Sequence, residues 1–459
     1  MYRIDFKKPT HLHFIGIGGI SMSGLAEILL KEGFEISGSD ARESELTRHL
    51  EGMGAAVCYG QRASNLKEDV DAVVYTAAIH PDNPELQAAA ARGIPTLSRA
   101  ELLGQIMGNY RESVAVAGTH GKTTVTSMLT HILLEAEADP TISVGGILKA
   151  IQGNIRVGDS DVFVTEACEY TNSFLHFYPK YGLILNIEED HMDFFKDLAE
   201  IRDSFRRFAG NIPAGGSLII NHEIAGWEEI AAGLPCKAIT YGLEAPADYS
   251  AGQLEYQGSG CPSFVLMHRE VPVGRISLAV PGRHNASNAV AACATALEMG
   301  ISFAVIQKAL SGFGGTVRRF EHKGMLGGIM VVDDYAHHPT EISATLAAAR
   351  NCGRQRIVCV FQPHTYTRTL AFMDDFAHSL AAADLVVLAD IYAARETDTL
   401  GISSRDLQKK LQNLGCECHY FPSFDEIENF LLKNCINGDL LITMGAGDIV
   451  QVGEHLLGH

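Results

Sequence analysis

One stretch decides the fold: Val114-Ala-Val-Ala-Gly-Thr-His-Gly-Lys-Thr-Thr124. Its apolar start predicts a buried strand, and the apolar residues after it recur at helical spacing. A helix N-terminus preceded by glycines offers free backbone N–H groups to a phosphate, and Lys122 adds a positive charge. The spacing is Gly-x-x-Gly-Lys-Thr, because Val116 replaces the outer glycine of the usual phosphate loop. The pattern therefore predicts an ATP site in which Thr123 can ligate magnesium.

Size, charge and cysteines limit the class of protein. A chain of 459 residues predicts two to four domains, with three expected. The net charge of −19, without a lysine-arginine cluster, argues against nucleic acid or an anionic membrane as the main partner. The sequence has neither an apolar run of about 18 residues nor an apolar signal core, which predicts a cytoplasmic protein without membrane insertion. The 10 cysteines include no Cys-x-x-Cys pair, as expected of buried thiols in a reducing compartment.

The N-terminal segment, predicted to span residues 1–107, begins with a βαβ unit. Its first strand ends at Gly16-x-Gly18-Gly19, and its second ends at Ser39-Asp40. This pattern is similar to a dinucleotide fingerprint, although Ser21 stands in place of the third glycine. A nucleotide diphosphate at the turn is favoured; a NAD cofactor and a purely structural tight turn remain open alternatives.

Acidic residues follow two further strands of the central segment, predicted to span residues 108–314. Glu166 ends the first of these strands, and Asp190-His191-Met-Asp193 follows the second. An acid at a strand end beside a phosphate loop suits a nucleotide-bound metal. The Asp-His-x-Asp cluster is open to two interpretations, a second metal site or the capped start of a helix.

Two other features of this segment concern the nucleotide and the sheet. Asn285 and Asn288 open an apolar helix, where their amides could read an adenine edge or merely cap the helix. Short strands between residues 215 and 280, beginning with Ser217–Ile220, predict an antiparallel elaboration. Arg319, in a glycine-rich linker, could meet a phosphoryl group or could be a solvated loop residue.

The third segment, residues 315–459, again alternates strands with helices, which predicts a parallel, doubly wound sheet. Loops at the carboxyl ends of its strands carry Tyr335, His337 and Arg368. Such polar groups at strand ends favour a substrate site over packing.

Four motifs together resemble the ATP-dependent Mur ligases of peptidoglycan synthesis, over essentially the whole chain. They are Gly118-Thr-His-Gly-Lys-Thr-Thr124, Asn186-Ile-Glu-Glu-Asp-His191, Arg283-His-Asn285 and Asp333-Asp-Tyr-Ala-His-His-Pro339. The resemblance implies an α/β protein of three domains: a Rossmann-like N-terminal domain for a UDP-sugar, a P-loop-type central domain for ATP with an antiparallel elaboration, and a Rossmann-like C-terminal domain for the amino acid.

The implied reaction is ATP-dependent amide formation. Within the family, His13-Phe-Ile-Gly-Ile-Gly-Gly19 and Tyr366-Thr-Arg-Thr369 are similar to members that join L-alanine to the carboxylate of UDP-N-acetylmuramate through an acyl phosphate. The products would be UDP-N-acetylmuramoyl-L-alanine, ADP and phosphate. The alternatives are a ligase that recycles a tripeptide onto the same sugar, a NAD-dependent oxidoreductase and a nonenzymatic nucleotide sensor. A monomer or a homodimer is expected.

The resemblance also implies the site residues. The ATP contacts would be Gly118, Thr119, His120, Gly121, Lys122, Thr123, Thr124, Asn285, Asn288 and Arg319. The UDP-sugar contacts would be Gly16, Gly18, Gly19, Ser39, Asp40 and Thr76. The amino acid would be held by Tyr335, His337 and Arg368. Magnesium or manganese would be ligated by Thr123, Glu166 and His191. Catalysis would depend on Lys122, His191 and Arg368.

The chain departs from the family pattern at two places. Glu166-Ala-Cys-Glu-Tyr-Thr171 stands where an acidic Glu-Ala-Asp-Glu-Ser-Asp run is common, so only its two glutamates keep carboxylates. Thr365 replaces the first arginine of a His-Arg-Tyr-Thr-Arg run. One cation fewer is expected to alter amino-acid selection.

Overall fold

The computed structural model describes residues 2–76, 78–244, 246–258, 260–394, 396–397 and 400–459. The chain divides into two compact units. Unit 1 comprises Met1–Glu188 and Leu198–Ile239, and unit 2 comprises Glu189–Asp197 and Thr240–His459. The domain boundaries predicted near residues 107 and 314 stay predictions.

Unit 1 contains eleven complete strands and seven α-helices within its described residues. The strands are β1 (His11–Ile15), β2 (Glu35–Asp40), β3 (Ala56–Tyr59), β4 (Ala72–Tyr75), β5 (Thr96–Ser98), β6 (Glu112–Ala117), β7 (Thr141–Leu148), β8 (Gly153–Arg156), β9 (Val162–Ala167), β10 (Tyr181–Ile184) and β11 (Ser217–Asn221). The helices are α1 (Ile20–Lys31), α2 (Glu45–Gly52), α3 (Pro84–Arg92), α4 (Arg99–Met107), α5 (Lys122–Glu135), α6 (Leu198–Gly210) and α7 (Trp227–Ala231).

The first sheet of unit 1 has the order β3-β2-β1-β4-β5, and all of its pairs are parallel. Parallel neighbours need crossover connections, and here helices provide them. The central strand β1 is buried along its whole length. The predicted Rossmann-like N-terminal fold is confirmed, and the turns that follow β1, β2 and β4 lie at one edge of this sheet.

The second sheet runs β11-β10-β6-β9-β7-β8 within unit 1, with β6 in its interior. β6 pairs in parallel with both β9 and β10, so the loops after these three strands share one edge. Ser217–Ile220 was predicted to belong to an antiparallel elaboration, and this is wrong. That segment lies in β11, which pairs in parallel with β10 because helix α6 carries the chain back between them.

Strand β12 (Lys237–Tyr241) leads into unit 2. The further strands are β13 (Tyr249–Tyr256), β14 (Pro262–His268), β15 (Val271–Ser277), β16 (Glu321–Leu326), β17 (Ile329–Asp334), β18 (Arg356–Phe361), β19 (Leu385–Leu388), β20 (Cys418–Tyr420) and β21 (Asp439–Met444). The helices are α8 (Arg283–Glu298), α9 (Phe303–Ser311), α10 (Pro339–Arg350), α11 (Tyr366–Ala371), α12 (Met373–Leu380), α13 (Ser404–Asn413), α14 (Phe424–Asn434) and α15 (Val450–Leu457).

Unit 2 contains both sheet types that the sequence predicted. Strands β13, β14 and β15 pair antiparallel, as expected of the elaboration. The C-terminal sheet has the order β16-β17-β21-β18-β19-β20 and is parallel except for its first pair. Separate apolar clusters include Ile342 and Phe376 in one and Ile427 and Val452 in the other, so helices cover this sheet on both faces. Among the described residues, no helix has both the length and the apolar character needed to span a bilayer.

Candidate functional site

The loop between β6 and α5 has the backbone of a phosphate-binding loop. Gly118 and Gly121 have φ values of 147° and 83°, which non-glycine residues rarely adopt. A Cβ atom on Gly118 would also lie 2.9 Å from the Cβ of Leu185. No side chain caps the N-terminus of α5, which is described throughout. The first turn of this helix therefore keeps N–H groups available for an anion.

Lys122 folds back into this loop and pairs with a buried carboxylate. Its Nζ atom donates to the carbonyl oxygens of Gly118 and Thr119 and lies 3.0 Å from Oε2 of Glu169. Burial favours the neutral amine, but the Glu169 carboxylate outweighs it and raises the pKa of Lys122. The loop thus holds an ammonium group that stays charged across the physiological pH range. Glu169 is a contact that sequence reasoning did not assign to the site.

The next loop residues are held by the segment that follows β10. The backbone N–H of His120 donates to Oδ1 of Asn186 at 2.7 Å, and the Asn186 amide donates back to the His120 carbonyl at 3.1 Å. The hydroxyl of Thr119 accepts from the backbone N–H of Glu188 at 2.9 Å. These bonds hold the loop from its side through groups of the protein itself.

The predicted metal ligands of unit 1 are oxygen donors. Thr123 lies in the first turn of α5 and is half-buried, next to the predicted ATP contact Thr124. Glu166 is the penultimate residue of β9, and its Oε1 accepts a hydrogen bond from the backbone N–H of Gly145 at 2.7 Å. Hydroxyl and carboxylate oxygens are the ligands that Mg²⁺ and Mn²⁺ prefer, so these residues fit such an ion. The third predicted ligand, His191, belongs to unit 2, where it has a φ of 54° and is half-buried.

The six predicted UDP-sugar residues come together at the carboxyl ends of β1, β2 and β4, in the last residues of β2 and in the turns after β1 and β4. Gly16, with φ 81°, donates its backbone N–H to the carbonyl of Ser39 at 2.8 Å. Gly18 donates to Oδ2 of Asp40 at 2.8 Å, and a Cβ there would lie 2.9 Å from that oxygen. Gly19 caps α1 without a side-chain bond. Thr76 lies in van der Waals range of a Cβ placed on Gly16.

Arg99 lies next to this turn and was missed from the sequence. Its Nη1 atom donates to the hydroxyl of Ser21 at 3.1 Å, and burial lowers the pKa of the guanidinium. In the part of the chain that the structure describes, no carboxylate pairs with this cation. The sequence did carry a signal, because an arginine at the first position of a helix opposes the helix dipole.

Unit 2 contains a second buried ion pair. Nη2 of Arg368 lies 2.8 Å from Oδ1 of Asp190, and Nη1 lies 3.3 Å from Nδ1 of His364. Burial alone would raise the pKa of Asp190, but the Arg368 guanidinium, together with His191, holds it well below its usual range. Asp190 and His364 complete this cluster. The sequence suggested Asp190 as part of a metal site or a helix start and did not predict its pairing with Arg368, and it gave His364 no individual role.

Neutral imidazoles lie close to that pair. Burial lowers the pKa of His337 to about 4, and its Nδ1 atom lies 3.0 Å from the Tyr335 carbonyl. Burial also lowers the pKa of His284 to about 4, and the charged groups that act on this imidazole are Glu341 and Arg319. Arg319 stacks against the ring of Tyr335 at 5.3 Å from its centroid, so the predicted contacts Tyr335, His337 and Arg319 adjoin one another.

The two predicted adenine contacts lie in the first turns of α8. Asn285 is buried and donates to the Pro281 carbonyl at 2.7 Å, while the Asn288 amide donates to Oδ1 of Asn285 at 3.3 Å. One donor of Asn285 therefore holds the helix start. Both the capping role and the nucleotide role weighed from the sequence remain compatible with this geometry.

Three protein-family models match most of the chain. Residues 11–111 match the Mur ligase family catalytic domain, residues 116–296 the Mur ligase middle domain, and residues 318–447 the Mur ligase glutamate ligase domain. The three matched stretches follow one another in the order of the three predicted domains.

Individual relatives extend over the whole chain. The UDP-N-acetylmuramate–L-alanine ligases of Agathobacter rectalis and Lachnospira eligens are 60% and 56% identical to it, with 100% of each chain covered. The crystal structure of UDP-N-acetylmuramate-alanine ligase from Thermotoga maritima superposes with a TM-score of 0.79 at 28% identity, covering 98% of both chains. A murein peptide ligase from Psychrobacter arcticus gives 0.67 at 26% identity over the same share.

Proposed function

The chain belongs to the Mur ligase family, and we propose how its residues join L-alanine to the carboxylate of UDP-N-acetylmuramate. It is an ATP-dependent, amide-forming ligase of peptidoglycan biosynthesis. The observation that carries the assignment of roles is the charged, buried Lys122 in the loop before α5.

Lys122 serves the first step, in which the muramate carboxylate attacks the γ-phosphate of ATP. The carboxylate oxygen bonds to phosphorus as the bond to the ADP oxygen breaks, which gives an acyl phosphate and ADP. Two anions must approach each other in this step, so a fixed positive charge stabilises the transition state. Glu169 supports the role because it keeps Lys122 protonated and oriented within the loop. Gly118, Thr119, His120, Gly121 and Thr124 contribute loop backbone and first-turn contacts to the phosphates.

Thr123 and Glu166 would hold a Mg²⁺ or Mn²⁺ ion, and the role of His191 as a further ligand stays a prediction. When bound, such an ion neutralises charge on the phosphoryl oxygens and on the attacking carboxylate. The oxygen donors of Thr123 and Glu166 support the choice of a hard cation. Asn285, Asn288 and Arg319 would contact the remainder of the nucleotide.

Arg368 binds the carboxylate of L-alanine in the second step. A guanidinium has five N–H donors, and the contacts to Asp190 and His364 use three of them, which leaves one on each Nη atom. Two parallel donors suit a carboxylate. The alanine amine then attacks the acyl carbonyl, and phosphate leaves from the tetrahedral intermediate. Tyr335 and a neutral His337 line the amino acid without adding a positive charge that would repel an ammonium group.

The UDP-sugar binds at the turns after β1, β2 and β4. Gly16, Gly18 and Gly19 allow the pyrophosphate to approach the backbone, and Ser39, Asp40 and Thr76 lie at the adjoining strand ends. We add Arg99 to this set, because a desolvated guanidinium beside Ser21 is suited to an anionic group of the sugar nucleotide.

Phosphate release from ATP tests the proposal. The enzyme is assayed with UDP-N-acetylmuramate and magnesium, and L-alanine, the tripeptide and no acceptor are compared. Release that depends on L-alanine is expected. Release with the tripeptide alone would indicate the recycling ligase, and no release with either acceptor would contradict the assignment of roles.

The proposed location of the enzyme rests on its substrates. Both ATP and a UDP-sugar are cytoplasmic metabolites, which supports a cytoplasmic enzyme. A monomer or a homodimer is proposed, and sedimentation velocity would distinguish the two.

A further inference from the structure

A line of polar side chains runs from the interior of unit 1 to its surface, past strands β1 and β2 of the first sheet. His11 and His13 lie two residues apart on the same face of β1. Nε2 of His11 and Nδ1 of His13 each lie 2.9 Å from the hydroxyl oxygen of Ser37. The other nitrogen of His13, Nε2, lies 3.5 Å from Glu85 Oε2, and both of these side chains are fully buried. The other nitrogen of His11, Nδ1, lies 3.2 Å from Oδ2 of Asp69. The line thus runs from one carboxylate to another.

The contacts along this line need one proton more than its neutral side chains supply. Four links need a proton: Glu85–His13, His13–Ser37, Ser37–His11 and His11–Asp69. Two neutral imidazoles and one hydroxyl supply one proton each, which makes three. In one of the four contacts, a nitrogen lone pair must therefore face an acceptor oxygen, unless a further cation binds between them.

The missing cation belongs at the His11 end. Glu85 already accepts from Ser39 at 2.6 Å and from Asn65 at 2.6 Å. Burial raises the pKa of Glu85, but the bonds from His13, Ser39 and Asn65 outweigh it and hold the pKa below its usual range, so this carboxylate is ionised. Two facing acceptors in that fully buried place would be costly, so His13 keeps its proton on Nε2. The lone pair then falls on Nδ1 of His11.

Nδ1 of His11 points at two carboxylates that solvent can reach. His11 is 4% exposed, and this nitrogen is buried without a well-directed hydrogen bond. Oδ2 of Asp69 lies 3.2 Å from it and Oε1 of Glu35 lies 3.8 Å from it, and these two side chains are 62% and 61% exposed. The three ligand atoms lie within 4.8 Å of one another.

We propose that His11, Glu35 and Asp69 form a binding site for a divalent transition-metal ion such as Zn²⁺. One imidazole nitrogen and two carboxylate oxygens make a ligand set of the kind that Zn²⁺ or Mn²⁺ accepts, whereas Mg²⁺ prefers oxygen alone. Ser37, through the Nε2 proton of His11, fixes the tautomer that presents Nδ1 to the metal.

The site lies apart from the predicted substrate turns. His11 and Glu35 begin β1 and β2, and Asp69 precedes β4, so the three ligands share the N-terminal edge of the parallel sheet. The turns assigned to the UDP-sugar follow the same strands at their opposite ends. The ion would therefore brace the sheet and take no part in the transfer of phosphate.

Equilibrium dialysis of the full-length enzyme against Zn²⁺, without nucleotide, tests this site. Asp69→Asn removes one ligand, and the matched control Glu68→Gln removes a neighbouring exposed carboxylate that is not part of the cluster. Thiols and the catalytic ligands bind equally in the wild type and in all of the variants, so only the difference in bound Zn²⁺ counts. We expect Asp69→Asn to weaken one equivalent of Zn²⁺ by about tenfold or more, and Glu35→Gln/Asp69→Asn to lose it. Glu68→Gln should bind as the wild type does.

Anomalous diffraction from Zn²⁺-soaked crystals gives the position of the ion independently. A peak about 2.0–2.1 Å from Nδ1 of His11 is expected. Equal Zn²⁺ stoichiometry in the wild type and the double variant, or anomalous peaks only at other residues, would overturn the proposal.

Discussion

The phosphate loop of unit 1 and the arginine cluster of unit 2 both contain a buried ion pair. The two sites differ in the direction in which they shift the pKa of a basic side chain. In unit 1, Glu169 raises the pKa of Lys122 against the effect of burial. In unit 2, Arg368 and Asp190 are surrounded by imidazoles, and burial lowers the pKa of His337 to about 4. In the proposed roles, the first region supplies a cation for phosphate chemistry. The second supplies the Arg368 guanidinium for the carboxylate of the amino acid, and its His337 imidazole is neutral, as the approach of an amine requires.

Removing Lys122 should have the largest effect on this contrast. We expect Lys122→Met to lower kcat about 10³-fold, because a preorganised charge is lost from the transition state of phosphoryl transfer. Lys122→Met also leaves Glu169 buried without its cation, which could unfold the loop. The double variant Lys122→Met/Glu169→Gln removes that charge and should be equally inactive while melting near the wild type.

Lys180→Met provides the matched control for that experiment. Lys180 pairs with Glu112 in the same unit, outside the loop. Its loss should leave kcat within about twofold, since partly exposed pairs contribute little. A comparable loss of kcat in the control would mean that Lys122 acts through folding alone.

Arg368→Lys should affect the amino acid about 100-fold and the nucleotide little. A lysine keeps the charge next to Asp190 but loses the paired donors that suit a carboxylate. The KM for L-alanine is therefore expected to rise while the KM for ATP stays near the wild-type value. Arg350→Lys, at an exposed pair with Asp384, should change neither constant. Equal increases in the KM values for L-alanine and ATP would show that Arg368 does not bind the amino acid specifically.

The neutral imidazoles predict a pH dependence of stability. The pKa of His284 is about 4 in the folded chain, against an ordinary value of 6.5. The unfolded chain therefore binds more protons between these values, and the free energy of unfolding falls as the pH falls through that window. His284→Gln removes this term, which is about 2 kcal/mol between pH 7.5 and pH 5.

Thermal unfolding of the wild type and His284→Gln across this range measures that term. The melting temperature of the variant should fall less steeply with acid, and His337→Gln should behave in the same way because its folded pKa is also about 4. Parallel curves for wild type and variants would show that these imidazoles become charged in the folded protein.

Arg99→Lys should have the smallest effect. Arg99→Lys replaces the planar guanidinium next to Ser21 with an ammonium group. This change is expected to raise the KM for UDP-N-acetylmuramate about tenfold and to leave the KM values for ATP and L-alanine nearly unchanged. Arg92→Lys, whose guanidinium donates only to two backbone carbonyls of unit 1, is the control. No change in the sugar KM would assign Arg99 to packing.

Local patterns in the sequence predicted the loop before α5 well, but the sequence did not predict ion pairs between residues that are far apart in the chain. The loop before α5 depends on neighbouring glycines and on one apolar strand, so spacing alone revealed it. Asp190 and Arg368 are 178 residues apart, and only the folded chain shows that they pair. The direction of β11 was predicted wrongly because a short apolar strand reads the same in parallel and antiparallel sheets.

Positional isotope exchange in ATP, labelled with ¹⁸O at the β–γ bridge, most directly separates the two roles. It is measured with UDP-N-acetylmuramate but without L-alanine, so that only the acyl phosphate can form and revert. Exchange is expected in the wild type and in Arg368→Lys, and none in Lys122→Met/Glu169→Gln. Loss of exchange in Arg368→Lys as complete as in the lysine variant would contradict the division of labour between phosphate loop and arginine cluster.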